Sequence, residues 1–392
     1  MKSPDIEIGL LEPEAPAVKD PATPVIHDYD GQVPDFTGPE IDRVHDHLVP
    51  SLRNYRIADE VPGASTFVVR EQGRITDIFL YRREGRVVTV LSEFIRIDAD
   101  SVRRFAQHVF ATYPGVGKIV YRKANAGAMA GELPRVLPYP YASVPVTEDI
   151  VVSLPDSIDA YHGRLGKNMR RNIKRYHATL GEKFPSYTYD VYLADRIAES
   201  DLRDIIALNR TRMAGKRIVS RIDEDETRWI VSMAKQCGIV GVARIDGKVC
   251  AGAIGFRIRD NYFMHVIAHD PAYNDYSLGI LCYYFTICEG IKRGGRHFHL
   301  MSGRYEYKFR LGGELRDISR LELYRNRLHW LLDGRHLARQ ALQNRVRDAR
   351  LWLLEAERRD DRMSLAAASV MQRLREAKRN GWKALLARPS KG

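Results

Sequence analysis

The order of predicted strands and helices repeats along the chain, and this repeat is the feature that most constrains the fold. Alternating apolar and polar residues, with glycines between them, predict a first strand-strand-strand-helix-strand set at 65–70, 75–82, 86–94, 101–112 and 118–122. The same order returns at 239–245, 248–259, 262–269, 278–293 and 296–301. This order predicts an α/β fold with mixed sheets in two similar domains, although no repeat of single residues is visible.

Proline-rich segments suggest the domain boundaries. Residues 1–40 are rich in proline and poor in apolar residues, and predict a flexible leader. A second proline-rich passage, 134–145, separates the two sets of elements, so we expect an N-terminal domain over 41–150 and a second domain over 151–325. Apolar positions at helical spacing predict a helical hairpin extension over 326–392, which turns near 358–361.

The formal charge of +12 is concentrated in this extension. Residues 325–392 hold 17 Lys and Arg against 7 Asp and Glu, which gives +10. Three interpretations are open: the helices pack on the body, the basic run 370–386 lies on an anionic membrane surface, or the extension docks an acyl carrier protein or RNA. RNA ranks last, because no aromatic and glycine signature accompanies the charge.

Neither a membrane span nor a secretion signal is visible, so we expect a cytoplasmic protein, at the inner membrane face if the extension binds lipid. The four cysteines lack zinc spacing and lie in apolar stretches, which argues against disulfides and a thiol nucleophile. His297 and His299 have no third ligand nearby in the sequence, so no metal is expected.

The second half carries the more specific motifs. They are a basic helix at 164–175, a hairpin turned at Asp246-Gly247, and Tyr307-Lys308 followed by Gly312. In this order they resemble the GNAT domain of the Fem-like and cellulose-biosynthesis-type acetyltransferases over about 150–325, while the first half matches only in element order and is interpreted as a degenerate GNAT-like domain. In that family an acidic residue is common where this chain has His299.

The resemblance implies tandem GNAT-like domains and an acyl-CoA co-substrate, acetyl-CoA or another. The arm of the acyl donor would pair with the strand edge at Val266, Ile267 and Ala268. Its phosphates would lie at the following helix start, near Ser277, Leu278 and Gly279. Helix N-termini suit anions because their first amides are unpaired and their dipole end is positive. Of the family's usual glycine-rich loop, this chain has only Gly279.

Acyl transfer to an amine or hydroxyl needs an acid and a base. Tyr307 is the candidate acid, with core packing as the alternative. Candidate bases are His265 and His269, which strict alternation would place on one strand face, and His299 on the neighbouring strand. Lys308 is expected to pair with a phosphate or carboxylate, or else to be solvated. On the basic helix Arg171 and Lys174 are candidates for phosphate or substrate binding, although a solvated face is the alternative.

The resulting hypothesis is an N- or O-acyltransferase that moves an acyl group from acyl-CoA to a small polar acceptor, such as a sugar or amino-acid derivative. The cellulose-type resemblance suggests polysaccharide biosynthesis. An aminoacyl-tRNA-dependent Fem-like transferase and a non-catalytic GNAT-like scaffold are the alternatives.

Overall fold

The structure is a computed structural model that describes residues 24–125, 132–215 and 219–356. Within these ranges no helix has both the length and the apolar character needed to cross a bilayer. The basic run 370–386 and the predicted turn near 358–361 lie outside the described residues, so both remain predictions.

Twelve strands and twelve α-helices make up the described chain. The strands are β1 (Val25–Tyr29), β2 (Ser65–Glu71), β3 (Arg74–Glu84), β4 (Val87–Val90), β5 (Lys118–Ala124), β6 (Tyr141–Ser153), β7 (Thr188–Leu193), β8 (Gly238–Ile245), β9 (Lys248–Ile258), β10 (Asn261–His269), β11 (His297–His299) and β12 (Glu314–Tyr324). The helices are α1 (Thr37–His45), α2 (Leu52–Ile57), α3 (Ala99–Thr112), α4 (Leu133–Val136), α5 (Ile158–Arg164), α6 (Lys167–Lys183), α7 (Glu199–Gly215), α8 (Glu224–Cys237), α9 (Leu278–Lys292), α10 (Glu306–Arg310), α11 (Arg327–Leu332) and α12 (Gly334–Ala356).

All the strands belong to one mixed sheet, in the order β1-β2-β3-β4-β5-β12-β6-β11-β10-β9-β8-β7. Neighbours are antiparallel except β4 with β5 and β10 with β11, the two pairs that are connected through α3 and α9. Each half therefore repeats an antiparallel set followed by a helical crossover to a parallel strand. This confirms the predicted mixed α/β fold with two similar halves.

Local sequence accounts for several of these elements. Asp246 and Gly247 both have positive φ, as the two-residue turn between β8 and β9 requires. At the start of α8 the Asp223 carboxylate accepts a hydrogen bond from the Glu226 amide. For α3 the sequence favours Ser101 as the cap, but the cap is Asp98, whose carboxylate accepts a hydrogen bond from the Ser101 amide.

The sequence also predicts a strand at 187–193, which is observed as β7, but three other strands were absent from the prediction. Part of the predicted leader forms β1, which pairs with β2. The second proline-rich passage runs into β6, where Pro145 lies beside a register shift opposite Ser319. A proline is tolerated there because a bulge does not need its missing N–H. The boundary at 150/151 falls inside β6. The third missed strand, β12, lies between β5 and β6 and so joins the halves.

The sequence predicts a single helix from Pro155-Asp156 to near Gly181, and the structure has two helices there, α5 and α6. Leu165 and Gly166 have extended backbone between α5 and α6, with ψ of 143° and 146°. Leu165 is buried in the core of the second half, which turns the chain inward at this point.

Because β12 carries core residues of the first half, a cavity in this strand should weaken that half. Leu323 is fully buried in the core that packs under α3. We expect Leu323→Ala to lower the free energy of unfolding by about 3 kcal/mol, measured by urea denaturation. Leu331→Ala, at an exposed leucine of α11, should change it by less than about 0.5 kcal/mol. Equal effects would contradict this role of β12.

Candidate active site

The parallel strands β10 and β11 pair over only three positions and then part. The pairs are Asn261 with His297, Tyr262 with Phe298, and Phe263 with His299. Beyond the last pair, no described strand pairs with the edge of β10 from 264 to 269 on the β11 side. The Ile267 carbonyl accepts a hydrogen bond from Arg212 at 3.4 Å, and the other backbone groups that face away from β9 can pair with an extended ligand.

A cavity of about 850 Å³, called the cleft below, opens where the strands part. Of the predicted residues it is lined by His265, Val266, Ile267, His269, Ser277, Gly279, Tyr307 and Lys308. Sequence reasoning missed its remaining polar lining, which includes Asn209, Arg212, Arg221, Glu226, Tyr283 and Ser302. Most of these lie on or after α7, on α8 and on α9, which no motif linked to β10. Ala268 is not part of the lining, because its side chain is buried in the core against α7 and α8.

The N-terminus of α9 points its first amides at the cleft. Ser277 precedes the helix in a left-handed conformation, with φ of 52°, and its side chain does not cap the helix. The amides of Ile280 and Leu281 donate to the Ser277 carbonyl. Those of Leu278 and Gly279 have no intrahelical acceptor, so this end offers two donors and a positive dipole to an anion.

A β-bulge at His265 corrects the predicted arrangement of the histidines. The pairing with β9 runs from Met264–Gly255 to Val266–Ile254, so His265 is the extra residue. His265 packs on Trp229 and Phe256, on the α8 side of the sheet. His269 lies on the other side, near Gly279 of α9. The two histidines therefore do not share a face, because the bulge shifts the alternation by one residue.

Each of these histidines has a polar partner. His265 Nε2 lies 2.8 Å from Glu226 Oε1 in the cleft, where the carboxylate orients the ring. His269 Nε2 lies 3.0 Å from Asn274 Oδ1, close to the start of α9. His265 thus has a carboxylate partner in the cleft.

Tyr307 reaches the cleft from α10 and belongs to a tyrosine cluster. Its hydroxyl lies 3.4 Å from that of Tyr283, and its ring stacks on Tyr305 at 5.8 Å between centroids. Burial raises the pKa of Tyr307 above its ordinary value. The phenol therefore stays protonated at neutral pH, as a proton donor must.

Lys308 is buried, with 4% of its surface exposed, so it is not the solvated lysine of the alternative interpretation. Its ammonium donates to the carbonyls of Leu300, Met301 and Ser302 at 2.6, 3.1 and 2.6 Å. Burial lowers the pKa of Lys308 to about 8. Since all three protons are donated to this loop, the lysine shapes the cleft wall after β11.

His299 lies apart from the cleft lining, at the last paired position of β11. Its Nδ1 donates to Asp149 Oδ2 at 2.6 Å, and its ring stacks on Phe263 at 4.3 Å. Although burial alone would raise the pKa of Asp149, the hydrogen bond from His299 and the imidazole of His47, 3.8 Å away, lower it well below its usual range. Burial lowers the pKa of His299 to about 4, so the ring is neutral at pH 7.

The sequence showed no third metal ligand near His299, but the structure brings Asp149 and His47 close to it. One atom each of His47, Asp149 and His299 lies within 4.8 Å of the others, a spacing that a metal ion could bridge. However, the Val49 amide donates to His47 Nδ1 at 3.2 Å, which places the proton of a neutral His47 on Nε2, towards Asp149. A metal at Nε2 would need that proton on Nδ1. The tautomers therefore favour hydrogen bonding over metal ligation.

The basic-helix candidates lie away from the cleft. Arg171 is exposed and lines a separate cavity of about 330 Å³ with Arg310 and the start of α6. Lys174 is also exposed. The structure does not bring these two residues to the other candidates, and their binding role stays a prediction.

Residues 167–309 match the family described as Acetyltransferase (GNAT) domain. Among solved structures, FemX aligns with a TM-score of 0.58 at 8% identity, over 78% of this chain and 99% of FemX. The C-terminal domain (DUF2156) of a putative lysylphosphatidylglycerol synthetase from Agrobacterium fabrum aligns with a TM-score of 0.45 at 13% identity, over 73% and 92% of the chains. A tandem GNAT protein from the clavulanic acid biosynthesis pathway gives 0.37 at 10%, over 77% and 98%.

No curated protein sequence matches this chain. Because the identity to FemX is low, this likeness shows a shared fold alone. Nothing is concluded from the two alignments with lower TM-scores. Residues 167–309 thus match a GNAT-type acetyltransferase domain, and the Fem-like part of the predicted resemblance holds for the fold. The cellulose-biosynthesis branch stays a prediction.

The buried His299 should make stability depend on pH. Its folded pKa of about 4 lies below the value of about 6.5 expected when unfolded. Between these values the unfolded chain binds the proton that the folded chain excludes, so the free energy of unfolding falls as the pH drops from 6.5 to 4. We expect His299→Gln to reduce proton uptake on unfolding at pH 5 by about one, measured by urea denaturation at several pH values. An unchanged slope would show that His299 does not titrate in this way.

Proposed function

We propose that this protein is an acyltransferase that binds an acyl-CoA thioester in the cleft and transfers the acyl group to the amine or hydroxyl of a small polar acceptor, such as a sugar or amino-acid derivative. The observation that carries the proposal is the parting of β10 and β11 beside the open N-terminus of α9. The arm of an extended donor can pair with the open edge of β10 while its phosphates bind at the N-terminus of α9.

The backbone at Val266, Ile267 and Ala268 would hold the donor's arm, because this edge of β10 has no strand partner there. The amides of Leu278 and Gly279 would hold the phosphates. Gly279 suits this role, since a side chain at this position would stand in the space towards His269. Neither role requires the glycine-rich loop, because both use backbone groups.

Tyr307 would be the acid that protonates the departing thiolate, since its hydroxyl is protonated and lines the cleft. His265 and His299 both have a carboxylate partner and are the stronger candidates for the base. His269 is the weaker one, since it lies at the α9 end, where the phosphates would bind.

Two alternatives remain for the donor and the activity. The fold shared with FemX makes aminoacyl-tRNA an alternative donor. A non-catalytic scaffold would leave the cleft unused. Docking of an acyl carrier protein or of anionic lipid by the basic extension is proposed from composition alone, because residues 357–392 lie outside the described part.

Thermal unfolding with acetyl-, medium-chain and long-chain acyl-CoA, and with free CoA, tests the donor. A ligand at about 100 times its Kd stabilises the folded state by about 2.7 kcal/mol, which is easily measured. We expect Gly279→Glu to abolish the shift, because it places a carboxylate where the phosphates would bind. Gly279→Ala should keep it, since the nearest atom to the added Cβ is 3.5 Å away. The absence of any shift in the wild type would favour aminoacyl-tRNA or the scaffold.

Removing the Tyr307 hydroxyl tests the acid. With the acyl-CoA that binds and a panel of amine and hydroxyl acceptors, Tyr307→Phe should lower kcat for thiol release by about 100-fold. The thermal shift with acyl-CoA should persist, because the ring remains. Tyr305→Phe is the matched control, as this neighbouring tyrosine is exposed. Full turnover in Tyr307→Phe would assign the acid to another group.

A further inference from the structure

A second cavity, of about 350 Å³, lies where the two halves meet and is called the seam cavity below. The first half contributes His45, Asp46, His47, Phe94, Arg96 and Asn125 to its lining. The strands of the second half contribute Asp149, Asn261, Arg296, His297, His299, Arg316 and Ile318. Nearly all of these residues are polar, whereas a cavity left by imperfect packing of two apolar surfaces would have an apolar lining.

Two arginines that line the seam cavity are the exposed Arg96 and the half-buried Arg316. Within the described residues, neither side chain makes a hydrogen bond or an ion pair. The carboxylates nearby are already engaged, since Asp149 accepts from His299 and Asp46 lies 3.8 Å from Arg259. A guanidinium presents paired donors that fit a carboxylate or phosphate, so the cavity has cationic groups available for an anionic ligand.

The register places one of these arginines beside the buried histidine. Arg316 of β12 pairs directly with Asp149 of β6, and Val151, two residues on, pairs with His299 of β11. Side chains two residues apart on a strand share a face, so Arg316, Asp149 and His299 converge on one side of the sheet. Arg96 reaches the same cavity from the first half.

His299, one of the lining residues of this cavity, has an unused ring nitrogen within the described part of the chain. Its Nδ1 proton is donated to Asp149, which leaves Nε2 as a lone-pair acceptor. This Nε2 is buried and has no hydrogen-bond partner, although the whole side chain is 95% buried. A carboxylate that fixes the tautomer of a histidine, with the other nitrogen free, is the arrangement of a general base.

His299 also stands at the junction with the cleft. It forms the last pair of β11 with Phe263, and the residues that follow on both strands, Met264 and Leu300, line the cleft. The seam cavity covers the paired positions and the cleft covers the parted ones. A base at this position is therefore one residue along each strand from the lining of the proposed donor site.

We propose that the seam cavity is the acceptor site: Arg96 and Arg316 bind a phosphate or carboxylate group of the acceptor, and His299 Nε2, positioned by Asp149, takes the proton from its amine or hydroxyl. This proposal rests on the proposed function. The acceptor nitrogen or oxygen forms the new bond to the acyl carbon as the carbon–sulfur bond breaks, its proton passes to His299, and the thiolate receives a proton from Tyr307. The first half is then a substrate-binding element of the enzyme.

Anion binding can be tested without any acyl transfer. Thermal unfolding of the full chain with inorganic phosphate, and separately with acetate, against chloride at equal ionic strength should show a specific shift for at least one anion. Phosphate would identify a phosphorylated acceptor, and acetate a carboxylate. Arg96→Gln and Arg316→Gln should each weaken the apparent affinity at least tenfold. Arg74→Gln removes the same charge from an exposed position at the start of β3 and should leave it unchanged. No shift, or equal loss in all three variants, would overturn the proposal.

The base has its own test. Nitrogen-15 NMR of the imidazoles should show His299 with a proton on Nδ1 only, and Asp149→Asn should abolish this tautomer preference. If an acyl-CoA shift is seen but His299→Gln keeps full kcat with a found acceptor, the base assignment fails while the donor site stands. If no acyl-CoA binds, anion binding at the seam still reports on the cavity by itself. One equivalent of metal in the purified protein, lost in His299→Gln, would also overturn the assignment.

Discussion

The early end of the pairing between β10 and β11 is the constraint on which the rest of the site depends. Parallel neighbours that stayed paired would satisfy each other's backbone groups and close the sheet. Here the pairing stops at Phe263 and His299, and the edge of β10 stays open for several residues. The loop after β11 is held away from β10 by Lys308, whose ammonium binds three consecutive carbonyls. One buried cation thus maintains the opening that the donor would enter.

The seam between the halves depends on a buried carboxylate, Asp149, and on the groups that stabilise its charge. Asp149 is buried, and an isolated carboxylate there would be costly. The hydrogen bond from His299 Nδ1 to Asp149 Oδ2, with His47 Nε2 3.8 Å from the same oxygen, helps to keep the carboxylate ionised. Because His47 comes from the first half and Asp149 from β6, this cluster can form only when both halves are in place. Among the described residues the side chains of Arg96 and Arg316 at this seam form no ion pair, which suits an anionic ligand.

Much of the element order could be read from the sequence, since hairpins, caps and helices are local. The Asp246-Gly247 turn and the start of α8 at Asp223 follow from residues within a few positions of each other. The missed strands are not local. Pro145 argues against a strand in isolation, and β6 forms because β12 and β11 pair on its two sides. Likewise, alternation predicted one face for His265 and His269, and a single bulge separated them.

By itself, the sequence determined the mixed α/β class, the repeated order of elements and the residue types available for acid-base chemistry. It could not determine which of those residues meet. His299 was visible as a histidine on a strand, but its partner Asp149 is 150 residues away and His47 is more than 250 residues away. Contacts at that separation arise from sheet pairing and from packing of the two halves, and these are set by burial summed over the whole molecule. Tertiary structure alone therefore decided where the cleft opens and which buried groups face the seam.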